Sequence, residues 1–418
     1  MPSRRDMLAN TAAALGGAVV FGVPPQSAPG QQRSTVPPQG PERGSPTPVD
    51  PTSVPGAPTS ALGERSPQVT ALRTPTGAIA GSSLTPHQSL TGTITPSDLH
   101  FERHHAGVPA IDAAKHELLI HGLTERTLAF SLADLKRFPQ VTRTYFIECS
   151  GNGGGAFRRP RAEMTPQQIA GLASNTEWTG VPVRALFNEV GGHRDATWVL
   201  AEGSDAAVMT RSIPMSKMLD DALVVWAQNG EPLRPAQGYP IRLLLPGWEG
   251  NACIKWLRRL ELGTRPWMTR EETSKYTDPL KDGTARQFSF EVDAKSIITA
   301  PVFPGRVSRG WHPISGIAWS GRGRIARVEV STNGGKTWRN AALLNAPTPK
   351  AFVRFEQMWE WNGDETVLLS RATDETGYVQ PTRAALIEAR GIGTGYHSNP
   401  IYGWKVAADG AVTFHGET

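Results

Sequence analysis

One cysteine occupies a position where a thiol could do chemistry. Tyr145, Phe146 and Ile147 are aromatic or β-branched, and they predict a buried strand that ends at Cys149. The next six residues, 150–155 (SGNGGG), predict a loop with almost no side-chain bulk. Because a large reactant could approach such a thiol closely, this cysteine is a candidate nucleophile or metal ligand.

Several chemistries stay open at this thiol. Residues 151–156 (GNGGGA) loosely match a dinucleotide fingerprint, but residues 158–161 (RRPR) follow where that motif needs a helix. The adjacent His104 and His105 would suit a Cys–His nucleophile pair. Zinc and haem are poorly supported, since the sequence has no C-x-x-C, C-x-x-C-H or H-E-x-x-H motif. The purely structural alternative is a disulfide between Cys149 and Cys253. What remains is a single thiolate that completes the coordination of a cofactor with its own sulfur ligands.

The composition indicates a globular chain with more than one core. At 418 residues, with 39% hydrophobic residues, it suits two domains of about 100 to 200 residues plus further segments. The formal charge of +5 comes from scattered arginines rather than one basic block. Nucleic acid is therefore disfavoured, and a small anion or an acidic protein fits better.

The N-terminal 88 residues predict export and a spacer. Arg4 and Arg5 precede a weakly apolar run at 11–23, which is the twin-arginine signal pattern and is too short for a membrane span. A surface helix that starts with two arginines is the alternative. A signal peptide over 1–28 implies a periplasmic protein exported after folding around a cofactor. Residues 29–88, rich in Pro, Ser and Thr, predict a disordered tether without a role in catalysis.

The elements that must position the cysteine lie between residues 89 and 275. The pattern predicts an α+β domain on a mixed sheet, with a capping box formed by Ser131 and Asp134. Strands are predicted at 117–120, 197–200 and 241–245, and helices at 131–138, 183–190 and 215–219.

The segment 276–418 has the character of an all-β domain. Hairpin turns at Asn333-Gly334-Gly335 and Asp409-Gly410 separate short alternating runs. This spacing predicts an antiparallel, immunoglobulin-like sandwich. The predicted strands are 325–331, 336–343 and 366–372, followed by a hairpin over 404–414.

Several motifs, in order from residue 90 to the C-terminus, carry a family resemblance. They are FERHH, ECSGN, EGSD, GYPIRLLLPG, IKWL and STNGGKTW. Together they resemble the sulfite oxidase family of molybdenum enzymes. Within it the chain is most similar to the molybdenum subunits of Sox-type sulfane dehydrogenases, which share the twin-arginine signal, FERHH and ECSGNGGG. The resemblance implies a molybdopterin-binding domain followed by an immunoglobulin-like dimerisation domain.

The resemblance also implies roles for individual residues. Cys149 would be the thiolate ligand of molybdenum beside the pterin dithiolene. Arg103 would be the basic residue nearest the substrate, and Tyr276 would lie by the oxo group. The β domain would contribute Arg390 to the anion-binding pocket. The implied cofactor-binding residues are Phe101, Arg103, His104, His105, Cys149, Asp205, Gln237, Arg242 and Lys255.

The sequence departs from the family at three places. Gln237 replaces a histidine that contacts the pterin. The glycines 153–155 replace basic residues, and Met164 and Gln168 stand where the family has a lysine and a tryptophan. Less charge and bulk predict a more open mouth, which could admit a sulfur group on the swinging arm of another protein. Arginines at 158, 159 and 161 could replace the lost charge.

The activity implied by the resemblance is oxidation of sulfur compounds by oxygen transfer at molybdenum. The first choice is the catalytic subunit of a sulfane dehydrogenase acting on carrier-bound sulfane sulfur in thiosulfate oxidation. Since the chain has no haem motif, a c-type cytochrome subunit would accept the electrons, in a homodimer or heterotetramer. No nucleic acid or membrane span is expected in the mature protein.

Three alternatives remain. A sulfite dehydrogenase would oxidise free sulfite, and a methionine-sulfoxide reductase of the same superfamily would run the oxygen transfer backwards. An exported, non-enzymatic binding module would use the β sandwich and pair Cys149 with Cys253.

Overall fold

The computed structural model describes residues 53, 55–56, 58–393 and 395–418. Residues 67–418 form one compact unit, to which all the structural elements discussed below belong. The predicted signal peptide lies outside the described residues. Among those residues, the helices are all too short or too polar to span a lipid bilayer.

The first half of the unit interleaves short strands with short helices. Its strands are β1 (Thr74–Pro75), β2 (Ser82–Leu84), β3 (Glu102–Arg103), β4 (Glu117–Gly122), β5 (Leu128–Ser131), β6 (Val141–Glu148), β7 (Ala173–Pro182), β8 (Trp198–Gly203), β9 (Thr210–Pro214), β10 (Leu223–Gln228), β11 (Glu231–Pro232), β12 (Arg242–Leu244) and β13 (Leu257–Gly263). Its α-helices are α1 (Leu132–Leu135), α2 (Gly154–Arg158), α3 (Pro166–Ala170), α4 (Val183–Val190) and α5 (Met215–Asp220). Single turns of 3₁₀ or π helix cover His87–Ser89, Pro235–Gln237, Gly250–Ala252 and Glu271–Lys275.

Three sheets organise this half. One has the order β5-β4-β13-β8-β9, in which β13 runs parallel to β4 and antiparallel to β8, so the predicted mixed sheet is present. The second has the order β11-β10-β7-β6, with β12 also paired to β10. The third, β1-β2-β3, is small and antiparallel.

Local sequence signals explain the helices. Helix α4 buries Val183, Leu186, Phe187 and Val190, which follow the i, i+3, i+4, i+7 spacing of an amphipathic helix. The capping box predicted at Ser131 is present, with both reciprocal bonds to Asp134. The helix that it starts is shorter than predicted and ends at Leu135.

The predicted tether is wrong over its last part. Residues 67–88 belong to the folded unit, where β2 pairs with β3 and Ser82 lies opposite Arg103. Thr85 and His87 are buried, and the Thr85 hydroxyl donates to the Leu99 carbonyl at 2.9 Å. The polar composition hid these contacts, because small polar residues can satisfy their hydrogen bonds inside a fold.

The second half is a two-sheet β sandwich, as predicted. After a small hairpin, β14 (Asp278–Pro279) and β15 (Ala285–Arg286), its strands are β16 (Lys295–Ala300), β17 (Gly310–Trp319), β18 (Ile325–Ser331), β19 (Arg339–Asn340), β20 (Ala342–Leu343), β21 (Val353–Trp361), β22 (Thr366–Asp374), β23 (Gly403–Val406) and β24 (Val412–His415), with helix α6 (Arg383–Arg390) before β23. The antiparallel sheets are β16-β17-β21-β20 and β19-β18-β22-β23-β24. The single strand predicted at 336–343 is wrong, since β19 and β20 pair with different sheets and the chain crosses the sandwich between them.

Strand β6 contributes side chains to the hydrophobic cores of both halves. Phe146 packs into the core of the sandwich, with its ring centroid 6.1 Å from that of Phe352. Its neighbour Ile147 points into the core of the first half. Because side chains alternate along a strand, one strand serves both cores up to the residue before Cys149.

Candidate active site

One pocket gathers almost every residue that the sequence placed at the site. It has about 650 Å³ of empty space, counting its open mouth. Ten of the eleven predicted site residues line it: Phe101, Arg103, His104, His105, Cys149, Asp205, Gln237, Arg242, Lys255 and Tyr276. Their distribution over 176 positions of the chain means that the fold, rather than local sequence, assembles the site.

Cys149 lies immediately after β6, as predicted. Its amide donates to the Leu172 carbonyl at 2.9 Å, and both Cys149 and Cys253 are free thiols. This excludes the intramolecular disulfide of the binding-module alternative. Burial raises the pKa of the Cys149 thiol, and the positive charge of Arg103 opposes that rise. A bound cation would be needed to hold a thiolate here at neutral pH.

The loop predicted over 150–155 is wrong in its second part. Helix α2 begins at Gly154, and Gly153 before it has φ of +81°, a conformation that strongly favours glycine. A Cβ on Gly153 would lie 3.1 Å from the Ser398 carbonyl oxygen, and one on Gly154 would lie 3.2 Å from that of Gly395. These glycines therefore admit neighbouring backbone, which narrows the predicted open mouth.

Positions that were expected to tune the mouth lie elsewhere. Met164 is buried in the sandwich core, and Gln168 completes a capping box with Thr165 at the start of α3. Arginines 158, 159 and 161 are exposed, and none of them lines the pocket.

Two cations lie on one side of the pocket. The Arg242 guanidinium donates to the carbonyls of Gln237 and Cys253 at 3.1 and 3.0 Å, and lies 5.3 Å from the centre of the Trp178 ring. The Lys255 ammonium donates to the carbonyls of Arg103 and Ala236, each at 3.1 Å. Burial, followed by the Arg242 charge, lowers the pKa of Lys255 well below 10.5. In the part of the chain that the structure describes, neither cation contacts a carboxylate.

Gly238 permits this pair of cations to approach each other. Its φ is +106°, and a Cβ there would lie 3.1 Å from both Arg242 Cβ and Lys255 Cα. The cis Tyr239–Pro240 bond follows it directly.

His104 connects the cations to an acidic residue. Its Nδ1 accepts from the Lys255 ammonium at 2.7 Å, and its Nε2 faces a Glu102 carboxylate oxygen at 2.7 Å. Glu102 also pairs with Arg73. Burial lowers the pKa of His104, so its neutral form, with the proton on Nε2, matches both partners.

His105 and Tyr276 form a second pair at the pocket. His105 Nε2 lies 2.6 Å from the Tyr276 hydroxyl. Burial, reinforced by the Arg103 charge, lowers the pKa of His105 to about 4. Burial also raises the pKa of Tyr276, so at neutral pH the imidazole is neutral and the phenol keeps its proton. The pair therefore shares one hydrogen bond while both groups stay uncharged.

Arg390 is the one predicted site residue that does not line this pocket. It ends α6, and its guanidinium donates to Asp293 at 2.8 Å and to the His397 carbonyl at 3.1 Å. It lines a neighbouring pocket of about 720 Å³ with Trp248 and Arg322. Sequence spacing placed it near the site, but the partner that neutralises it was not visible from the sequence.

Several pocket residues were missed by sequence reasoning. They include His100, Met209, Asn251 and Trp256. His100 directly precedes the FERHH motif and Trp256 lies inside IKWL, so both motifs could have signalled them. Asn251 and the buried Arg211 had no such signal, although Arg211 lies 5.5 Å from the centre of the Tyr276 ring.

The site suits an anionic group that brings its own metal. The Arg242 Nε–H is a buried donor and the His100 Nε2 is a buried acceptor, and neither has a hydrogen-bond partner among the described residues. The described residues contain no cluster of three His, Cys, Asp or Glu side chains that could hold a metal alone. One thiol, two cations without a carboxylate contact and an unpartnered guanidinium donor are therefore what a phosphate-bearing organic ligand with a chelated metal would require.

Two family matches cover most of the folded unit. Residues 105–270 match the oxidoreductase molybdopterin binding domain. Residues 286–403 match the Mo-co oxidoreductase dimerisation domain. The first contains most of the pocket residues, and the second covers most of the sandwich.

Individual relatives agree with these matches. The chain is 31% identical to sulfite oxidase of Gallus gallus over 331 residues, which is 73% of this chain and 72% of the relative. It is 30% identical to the NADH nitrate reductase of Ulva prolifera, of which it spans 40%. The crystal structure of the sulfane dehydrogenase SoxCD from Paracoccus pantotrophus matches with a TM-score of 0.80 and 42% identity, over 89% of this chain and 99% of that one.

The chain therefore belongs to the sulfite oxidase family of molybdenum-cofactor oxidoreductases. This confirms the predicted class of enzyme, its molybdopterin cofactor and its fold of an α+β domain followed by a β sandwich. The roles of single residues and the boundary predicted between residues 275 and 276 remain predictions.

Proposed function

We propose that this chain is the molybdenum subunit of a sulfane dehydrogenase. It oxidises sulfane sulfur that a carrier protein presents, in the course of thiosulfate oxidation, and passes the electrons to a c-type cytochrome. The observation that carries the proposal is the 42% identity to a sulfane dehydrogenase over 99% of that chain, against 31% identity over 72% of a sulfite oxidase.

In this proposal each of these residues has a task. Lys255, Arg242 and Gln237 would hold the anionic pterin, and Cys149 would supply the thiolate ligand of the metal. When bound, the cofactor supplies two-electron oxygen-atom transfer at molybdenum. The protein binds, orients and excludes water around that centre.

Three further pocket residues would act on the substrate. Arg103 presents a guanidinium to anionic oxygens, and a charge-assisted contact of this kind is worth about 1.5 to 3 kcal/mol. The phenol of Tyr276, kept protonated by its raised pKa, would be able to donate a hydrogen bond to a substrate oxygen. Neutral His105, 2.6 Å from that phenol, fixes its orientation.

The loss of basic residues after the cysteine supports a carried substrate over free sulfite. Residues 153–155 are glycines where the family has basic side chains, so a small free anion has fewer charged contacts from this segment. A sulfur group on a protein arm gains binding energy from contacts outside the pocket and depends less on those charges.

Sulfite oxidation is the second candidate, because a curated relative of 31% identity is a sulfite oxidase. A steady-state comparison separates the two. We expect kcat/KM for a carrier peptide bearing a terminal persulfide to exceed that for sulfite by about 100-fold, with cytochrome c as the acceptor. The same peptide with an S-methylated cysteine is the control and should not react. Equal or higher kcat/KM for sulfite would support the second candidate instead.

Export is part of the proposal. The twin-arginine pattern at Arg4 and Arg5 supports folding and cofactor insertion in the cytoplasm before transport to the periplasm. In cell fractionation, the wild-type chain should be periplasmic, whereas the Arg4→Lys, Arg5→Lys chain should accumulate in the cytoplasm with full molybdenum content. A periplasmic double variant would contradict this route. Assembly as a homodimer through residues 286–403, with cytochrome subunits attached, completes the proposal.

A further inference from the structure

A buried carboxylate lies directly before Cys149. Glu148 ends β6 and is 3% exposed, yet three donors surround it. The Trp319 indole donates to one carboxylate oxygen at 2.6 Å. Asn152 donates to the other at 2.8 Å, and the Lys295 ammonium is ion-paired with that same oxygen.

Two of these donors come from the β sandwich. Lys295 on β16 and Trp319 on β17 are opposite residues of one antiparallel ladder. Both are almost fully buried, so solvent screens their interaction with Glu148 very little. The sandwich therefore reaches across to the end of the strand that carries the cysteine.

A continuous set of hydrogen bonds leads from Glu148 to the cysteine backbone. The Asn152 amide group donates to Glu148, and its oxygen accepts from the Leu172 amide at 3.1 Å. The Leu172 carbonyl in turn accepts from the Cys149 amide at 2.9 Å. The position of the thiol thus depends on a chain of bonds that begins at Lys295.

We infer that Glu148 and Lys295 form a positioning pair, through which the β sandwich sets the direction of the Cys149 side chain. Neither residue lines the cofactor pocket, so the pair acts through the backbone of Cys149. The inference rests on the proposed role of Cys149 as the thiolate ligand. It gives the sandwich a task within its own chain, beyond joining chains together.

The test compares Lys295→Met with Lys295→Arg. We expect the Met variant to keep about one molybdenum per chain, to show a shifted electron paramagnetic resonance spectrum of its Mo(V) state, and to lose kcat by about 10- to 100-fold at little-changed KM. The Arg variant keeps the charge and should restore the wild-type spectrum. Trp319→Phe, which removes one donor and preserves most of the ring, should shift the spectrum in the same direction but less.

Lys350→Met is the matched control. Lys350 forms another lysine–carboxylate pair between the halves, 2.6 Å from Asp221, and has no contact with Glu148. It should lower the melting temperature and leave the spectrum unchanged. A wild-type spectrum and kcat in loaded Lys295→Met would overturn the inference, as would equal shifts in the Lys350 variant. If Lys295→Met fails to fold, an unchanged spectrum in Trp319→Phe overturns it. Absence of molybdenum from the wild-type chain would instead refute the role of Cys149 itself.

Discussion

Replacing Cys149 with alanine should abolish turnover while the protein keeps its molybdenum. We expect kcat to fall by roughly 10³-fold or more, because the change removes the thiol proposed as a ligand of the reacting metal. The cofactor should stay, since Lys255, Arg242 and Gln237, the residues proposed to bind its organic part, are untouched. Metal analysis and steady-state kinetics on the same preparation measure both effects.

Cys253→Ala is the matched control for this experiment. Cys253 is the second free thiol, but its sulfur accepts the Leu245 amide at 3.3 Å and is committed to the backbone. Its loss should lower the free energy of unfolding by about 1 to 2 kcal/mol and leave kcat within about twofold. Equal losses of activity in both variants would show that the thiol of Cys149 has no special role.

The elements with a strong local signal could be predicted from the sequence. Helix α4 follows from its apolar spacing, and β6 follows from the run that leads to Cys149. These signals depend on neighbours within about eight residues, so no knowledge of the fold is required. The pocket residues came from motifs of a known family rather than from periodicity.

The errors share a physical cause, which is contact between distant parts of the chain. Residues 67–88 look disordered alone, yet Thr85 and His87 are satisfied by partners more than ten residues away. Gly153 and Gly154 read as an open loop until the backbone of 395–398 closes on them. Tertiary partners of this kind leave no local pattern.

The same reasoning gives an unusual expectation for Lys255. Its ammonium has carbonyl oxygens and His104 as acceptors, and the nearby Arg242 charge repels it. In the cofactor-free protein, Lys255→Met should therefore raise the free energy of unfolding at neutral pH by about 1 to 3 kcal/mol. When purified from cells that make the cofactor, the same variant should contain less molybdopterin than the wild type, by about tenfold or more. The same substitution would thus stabilise the cofactor-free protein and lower its cofactor content.

The pKa of Lys255 determines how the stabilisation by Lys255→Met should change with pH. Because the pKa of Lys255 in the folded protein lies below its ordinary value of 10.5, the unfolded chain binds the extra proton between these values. The charged Lys255 side chain therefore lowers the free energy of unfolding most at and below its pKa in the folded protein. This destabilisation becomes smaller as the pH rises toward 10.5. Denaturant unfolding of wild type and variant at several pH values should show their difference narrowing in that direction.

Lys217→Met shows why the partner decides the outcome. Lys217 is also buried, but its ammonium lies 2.6 Å from the Asp221 carboxylate and 2.8 Å from the Pro246 carbonyl. Removing it breaks an ion pair, but the Asp221 carboxylate stays paired with Lys350, so this variant should lose about 1 to 3 kcal/mol at neutral pH and leave cofactor content unchanged. Destabilisation of both variants would mean that Lys255 serves the fold. Opposite signs would mean that its charge is retained at the expense of stability, for the anion that the pocket binds.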